Sequence, residues 1–349
     1  MSSPESTSDV DAGGTVLVIP DNTPTPDTVD PAVADLPSLH HAEIATARRY
    51  ADASRAASTQ RAYASDWQRF SAWCLERGLE TLPANPRAVA VFLSAEAEAG
   101  SAPLTVGRRL AAIGWMHRRA GFQPPQAREG AAAILEVMAG IRRSHGIAPV
   151  RKHAADADVL RDVLRAIAGD DLRSVRDRAL LAFGMAGAFR RSELVALRLA
   201  DIERVPEGLR VTIQRSKTDQ DGAGATIAIP EGRRLRPKAL LDAWLERGGI
   251  SDGFLFRRLV PGPAGGATAS PMSDRAVARL VQVRVAQAGY VAADFAGHSL
   301  RAGFLTAAAR SGASVFKMRE VSRHKSMQVL ADYVRDAELF QNHAGDGFL

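Results

Sequence analysis

The sequence predicts a mainly α protein: a helical N-terminal domain, then a mixed α/β domain that is mostly helical with a small antiparallel sheet. Three observations predict this. The chain has 349 residues, and at roughly 100–200 residues per domain that is two domains, each with its own core. From about residue 41 onward, apolar residues recur mostly at helical spacing. Only the stretches around Leu209–Ile213 and Thr226–Ile229 read as strands, with a Gly-containing turn at Asp221–Gly224 between them and Pro230 as a stop.

Residues 1–40 contain six prolines and seven acids (Glu5, Asp9, Asp11, Asp21, Asp27, Asp30, Asp35) and no Lys or Arg. Such a stretch cannot bury enough apolar surface to offset its chain entropy, so it is expected to be a disordered acidic tail. Residues 41–144 form the helical domain. Tyr63, Trp67, Phe70 and Cys74 make one stripe of a helix capped near Ser58 or Thr59, which Pro83 and Pro86 break. A helix over about 88–99 and a turn at Gly100–Pro103 follow. Val106, Leu110, Ile113 and His117 then form the face of another helix. Both stripes read as core, and the flanking Arg108, Arg109, Arg118 and Arg119 as candidate phosphate contacts.

The run Arg142–His153 is basic, aperiodic and interrupted by Gly and Pro. It reads as the approach to a linker over 145–155, with Arg142, Arg143, Arg151 and Lys152 disposed as a strap on a polyanion; any surface linker has the same composition. Residues 156–349 form the second domain, with helices near 156–168, 174–187 and 191–198, the two strands, and then helices again apart from a Gly/Pro/Ala loop at Pro261–Ala269.

Charge and composition narrow the function. The chain carries +6, but without the seven tail acids residues 41–349 carry +13. A body that basic suits a polyanion such as nucleic acid, although a solubilising surface charge also fits. No run approaches the ~20 apolar residues of a membrane helix, and no secretory signal is recognisable. One cysteine, Cys74, excludes an intramolecular disulfide and a cysteine-based zinc site. A cytoplasmic protein with no membrane partner is the expectation.

Four segments carry polar groups of interest, and each alone fits an ordinary structural role. In Gly187–Leu194, Arg190 and Glu193 stand at i,i+3, close enough for the carboxylate to orient the guanidinium. Lys217 follows a strand into a turn. In Gly297–Arg301, His298 and Arg301 share a helix face. Ser322–Ser326 contains His324, and Tyr333 follows nine residues later. Together, two arginines, two histidines, a lysine and a tyrosine are what metal-free attack on a phosphodiester requires. Guanidinium groups donate paired hydrogen bonds to the nonbridging oxygens. A tyrosine is a plausible nucleophile, although ionising it at pH 7 from a pKa near 10 costs about 4 kcal/mol. A lysine can protonate the leaving oxygen. No acidic cluster accompanies them, so no metal or other cofactor is expected.

The order Arg190…Lys217…His298-x-x-Arg301…His324…Tyr333 resembles the tyrosine site-specific recombinases, the group of Cre, Xer and the phage integrases, over about residues 45–345. The stretch from Gly297 to Tyr333 is most like Cre in register. The resemblance implies a core-binding helical domain over 41–144 and a catalytic domain over 156–349. It implies that Arg190 and Arg301 bind the scissile phosphate, Lys217 protonates the leaving group, and His298 serves acid/base chemistry. His324, where Cre has tryptophan, would donate to the phosphate, Tyr333 would attack it, and Glu193 would orient Arg190. Two positions depart from the pattern. Arg191 beside Arg190 leaves the register ambiguous by one residue, and Arg323 stands where many members have glycine.

The activity so implied is breakage and rejoining of double-stranded DNA at inverted-repeat sites through a 3′-phosphotyrosyl link and a Holliday junction. The protein would be a tetramer on DNA and largely a monomer when free. Residues after Tyr333, with Leu339, Phe340, Phe348 and Leu349 among polar neighbours, would dock on a neighbouring protomer. A type IB topoisomerase with the same residues, or a silent DNA-binding relative, are the alternatives.

Overall fold

The computed structural model describes residues 41–146, 152–214, 224–262, 265–339 and 345. The tail expected to be disordered, Lys217, Arg151, most of the Asp221–Gly224 turn, and the chain end from Phe340 apart from Gly345 lie outside these residues. The chain divides into two compact units, within residues 1–148 and 149–349.

The first unit consists of α1 (His41–Ala53), α2 (Ala57–Leu75), α3 (Pro86–Glu98), α4 (Pro103–Arg119) and α5 (Ala132–His145). α2 packs on α4, and α3 on α5. Phe70 and Cys74 from the aromatic stripe are fully buried with Phe92, and the Phe70 and Phe92 rings meet edge to face with centroids 5.1 Å apart. α2 begins at Ala57 with no side-chain cap, so Ser58 and Thr59 sit inside its first turn rather than capping it. Pro86 both ends the preceding chain and opens α3. At a first helical position its missing N–H leaves no bond unmade, and Asn85 caps by accepting from Arg87 N–H at 2.8 Å. His117 is wholly buried. Its Nδ1 lies 2.8 Å from Ile113 O and its Nε2 accepts from Ala84 N–H at 2.9 Å, which fixes the tautomer. Burial pushes its pKa down, so it ties α4 to the α2–α3 connection as a neutral ring.

Three of the candidate phosphate contacts in this unit, Arg108, Arg109 and Arg119, are engaged in ion pairs. Arg109 lies inside, its side chain 11% exposed, between Glu96 and Asp66. Arg108 donates Nε and Nη2 to Asp66 at 2.7 and 3.0 Å. Asp66 is buried and would be left uncompensated without these arginines, a far larger cost than a surface contact returns; the buried Glu96 is held by Arg69 as well, at 2.7 Å. Arg119 pairs with Asp52 at 2.6 Å and lies over the Trp115 ring. Arg142 and Arg143 are exposed but belong to the last turn of α5 rather than to a linker, where cations suit the helix dipole.

The second unit opens with α6 (Ala157–Ala166), α7 (Leu172–Ala186) and α8 (Arg191–Ala196). A three-stranded antiparallel sheet follows: β1 (Ile202–Val205), β2 (Gly208–Ile213) and β3 (Ala225–Pro230), with Ile202 opposite Val211 and Val211 opposite Ile227. β1 escapes sequence reading because Ile-Glu-Arg-Val does not alternate. After α9 (Pro237–Arg247), β4 (Arg257–Leu259) and β5 (Ala267–Pro271) pair as a hairpin. The expected loop at Pro261–Ala269 is therefore partly strand, because the flanking residues supply each other's backbone partners. Lys152 Nζ donates to Ala293 O at 2.6 Å, so this candidate strap residue is anchored to its own unit.

α7 is buried on nearly every side and packs on α9 and on α11 (Ser299–Arg310). Its Asp177 is clamped by Arg176 at 2.8 Å and Arg284 at 2.6 Å, all three buried. The last elements are α10 (Asp274–Gln287), which precedes α11, then α12 (Val315–Ser322) and α13 (Met327–Ala337). α11 to α13 share a cluster of Leu305, Ala309, Met318 and Leu330, on which Tyr333, Val334 and Ala337 pack.

The chain entering this unit is sewn to the start of α11 and the turn before it: His153 N–H donates to Asp294 O at 2.7 Å and Ala155 N–H to Ser299 O at 2.9 Å. The approach is possible because residue 303 is glycine, where a Cβ would stand 1.8 Å from Ala155 O. Gly303→Ala is therefore expected to destabilise. The helix-propensity gain of about 1 kcal/mol is outweighed by an overpacking cost of about 1–3 kcal/mol or more against backbone that cannot rotate away. Urea denaturation reads the sign, and a raised midpoint would contradict the close approach.

Candidate active site

The end of α7 and the start of α8 position the first arginine. The chain leaves α7 through Ala188 in the left-handed region (φ 45°). Phe189 then stacks back on Phe183, with centroids 5.3 Å apart, which leaves Arg190 as the N-cap residue of α8. Glu193, buried in the first turn, reaches back. Its Oε2 accepts from Arg190 N–H at 2.9 Å, and its Oε1 from Arg190 Nη1 at 2.6 Å. Arg190 is thus gripped by both backbone and side chain, as a capping glutamate does, rather than by sharing a helix face with Glu193. Arg191 points elsewhere. Its side chain crosses Gly297 so closely that a Cβ there would lie 1.9 Å from Arg191 Cδ, and its Nη1 reaches Asp274 O at 3.5 Å.

α11 supplies the next two groups. His298 is its N-cap residue and is exposed. Arg301, one turn in, is 2% exposed. Its Nη1 donates to Ala188 O at 2.6 Å. Its Nη2 lies 3.2 and 3.4 Å from the Nδ1 and Nε2 of His324. His324 follows α12, with Nδ1 2.9 Å from the buried Ser322 Oγ. Burial first, then the charges of Arg301, Arg190, His298 and Arg323, push the His324 pKa down to about 4. The ring is therefore neutral near pH 7 and keeps one N–H.

Tyr333 is half-buried on α13 and packs on the cluster that α11 shares. It lies close enough to Arg301 for the two to interact electrostatically, as His298 does to His324. The fold thus brings Arg190, His298, Arg301, His324 and Tyr333 together from four segments; Lys217 lies outside the described residues.

Two residues here carry no signal in the sequence reading as site residues. Ser322 bonds His324. Arg323, the C-cap of α12 at φ 57°, turns its guanidinium inward to Glu193 Oε2 at 2.8 Å. In the sequence it stands out only as a departure from the pattern the chain resembles.

The electrostatics favour an anion. Arg190 and Arg323 both bond the Glu193 carboxylate, and Arg301 lies within electrostatic reach of all three. Burial opposes the ionisation of Glu193, but Arg323 and Arg190 outweigh it and hold its pKa below the usual range. Burial, together with repulsion from Arg190 and Arg323, pushes the Arg301 pKa down to about 9. Arg301 stays charged at neutral pH, and an arriving phosphate diester relieves the repulsion. A hydroxyl, guanidinium donors and a neutral imidazole around one anion are the parts of a phosphoryl-transfer site.

The model of the phage integrase family matches residues 155–339. The chain is 34% identical over 300 residues to an integrase/recombinase xerD homolog of Selenomonas ruminantium, covering 85% of this chain and 87% of that protein. In fold it is similar to XerH site-specific recombinase in its post-cleavage complex with a palindromic difH substrate (TM-score 0.54, 15% identity, 73% of this chain and 70% of that one). It is similar also to a lambda integrase tetramer bound to a Holliday junction (TM-score 0.52, 18% identity, 81% and 73%).

Proposed function

Because this chain belongs to the phage integrase family, we propose that it is a site-specific DNA recombinase whose nucleophile is Tyr333. The hydroxyl attacks the scissile phosphate, forms a 3′-phosphotyrosyl bond and releases the 5′-oxygen; a partner strand's 5′-hydroxyl later reverses the step, by way of a Holliday junction. No net bond energy is lost, so no cofactor is required to rejoin the ends. Arg190 and Arg301 hold the nonbridging oxygens, and the neutral His324 donates its remaining N–H. His298 exchanges protons at the site, and Lys217 protonates the leaving oxygen. Glu193 fixes Arg190. The observation that carries this reading is Arg301, almost wholly buried between Ala188 O and His324 and within electrostatic reach of Tyr333.

The partner is double-stranded DNA, with the first unit as the core-binding domain and the second as the catalytic domain. Exposed Arg118, Arg142 and Arg143 suit its phosphates. Inverted-repeat sites, a tetramer on DNA and a largely monomeric free protein complete the proposal. Duplexes selected by the protein from a randomised pool, rebuilt with a nick so that cleavage traps the enzyme, provide the test. The wild-type chain should give a covalent band on a denaturing gel. A selected duplex that is bound tightly and never trapped would overturn recombination in favour of silent binding.

A further inference from the structure

We infer that Arg323 is a positioning residue that sets the guanidinium of Arg190 through Glu193 and locks the chain before Arg190 to the chain before His324. This rests on the recombinase reading above and deepens it.

The contacts of Arg323 run almost wholly to the backbone and carboxylate that hold Arg190. Nη2 donates to Glu193 Oε2 at 2.8 Å and lies 3.4 Å from Ala188 O. Nη1 donates to Gly187 O at 3.3 Å and to Val321 O. The guanidinium lies over the Phe189 ring at 5.4 Å. In return, Arg190 Nη2 lies 3.4 Å from Arg323 O. Glu193 thus holds Arg190 with one oxygen and shares the other between Arg190 N–H and Arg323. The side chain of Arg323 is 9% exposed, so its donors are committed inward rather than to a substrate.

The arrangement is costly. Arg323 holds a left-handed backbone that a residue with a Cβ avoids, and its buried Nε has no partner. What it supplies is charge balance. A buried carboxylate facing one arginine can turn with it, whereas a carboxylate gripped from two sides fixes that arginine's fork.

Arg323→Gly isolates the side chain, because glycine accepts this backbone freely. Arg323→Asn, which also tolerates it, serves as the second variant. Single-turnover cleavage of the nicked duplex should slow by roughly tenfold to hundredfold, the scale of a misplacement of about 1 Å. The melting temperature should fall, because the guanidinium fills a buried place beside Glu193, but the protein should stay folded at the assay temperature with its duplex affinity unchanged. In an Arg190→Ala background the same substitution should cost no more than about twofold, whereas a merely structural role would cost the same factor in both backgrounds. Wild-type cleavage rates in both single variants, equal losses with and without Arg190, or unfolding of both variants would each overturn the inference. If the wild-type chain gives no covalent band, the recombinase reading itself has failed.

Discussion

Tyr333→Phe is expected to bind its DNA site as the wild-type chain does and to form no covalent adduct. The ring packs on the cluster of Leu305, Ala309, Met318 and Leu330, and phenylalanine keeps that packing, so α13 stays in place. Only the hydroxyl is lost. Removing the nucleophile of a covalent enzyme costs about 10⁶ in rate, which takes the adduct below detection. No other described tyrosine is a ready substitute. Tyr50 and Tyr63 belong to the first unit. Tyr290 donates to Asp162 at 2.9 Å, and that bond pushes its pKa up, away from a usable phenolate. A persistent covalent band in Tyr333→Phe would remove Tyr333 from its role.

Arg301→Ala and Arg190→Ala are each expected to slow cleavage by at least ~10²–10³, the cost of one transition-state donor. Duplex affinity should change little, because phosphate contacts are spread over many cations. The two differ in stability. Arg301 fills a site that is 2% exposed and donates to Ala188 O, so its alanine variant also leaves a hole and should melt lower. Arg301→Lys refills part of the volume and keeps the charge, but a point charge lacks the fork, so cleavage should stay impaired while melting recovers. Arg191→Ala, whose side chain turns to Gly297 and Asp274, should cleave far better than Arg190→Ala. Equal damage from both would mean that the pairing of Arg190 with Glu193 does not identify the phosphate ligand.

Much of the fold is legible in the chain because helices announce themselves locally. The stripe of Tyr63, Trp67, Phe70 and Cys74, and that of Val106 to His117, repeat at helical spacing because each helix has to bury one face. β2 and β3 alternate for the same reason. β1, β4 and β5 are short, carry no period, and exist because a neighbouring strand supplies their hydrogen bonds. That information is not in the segment itself.

The candidate site divides along the same line. The sequence by itself supplied the candidate set of reactive groups, because the chemistry of an anion needs particular side chains and their order along the chain is readable. It also placed Glu193 beside Arg190, since three residues is a local distance. Only the tertiary structure decided which cations are free to meet a phosphate. Arg109 is consumed by Glu96 and Asp66, whose positions lie far along the chain from it. Arg323 reaches Glu193 across 130 residues because α12 ends in a left-handed turn facing α8. An ion pair depends on distance in space, falling off over a few ångströms in a buried site, and a linear sequence fixes that distance only for neighbours.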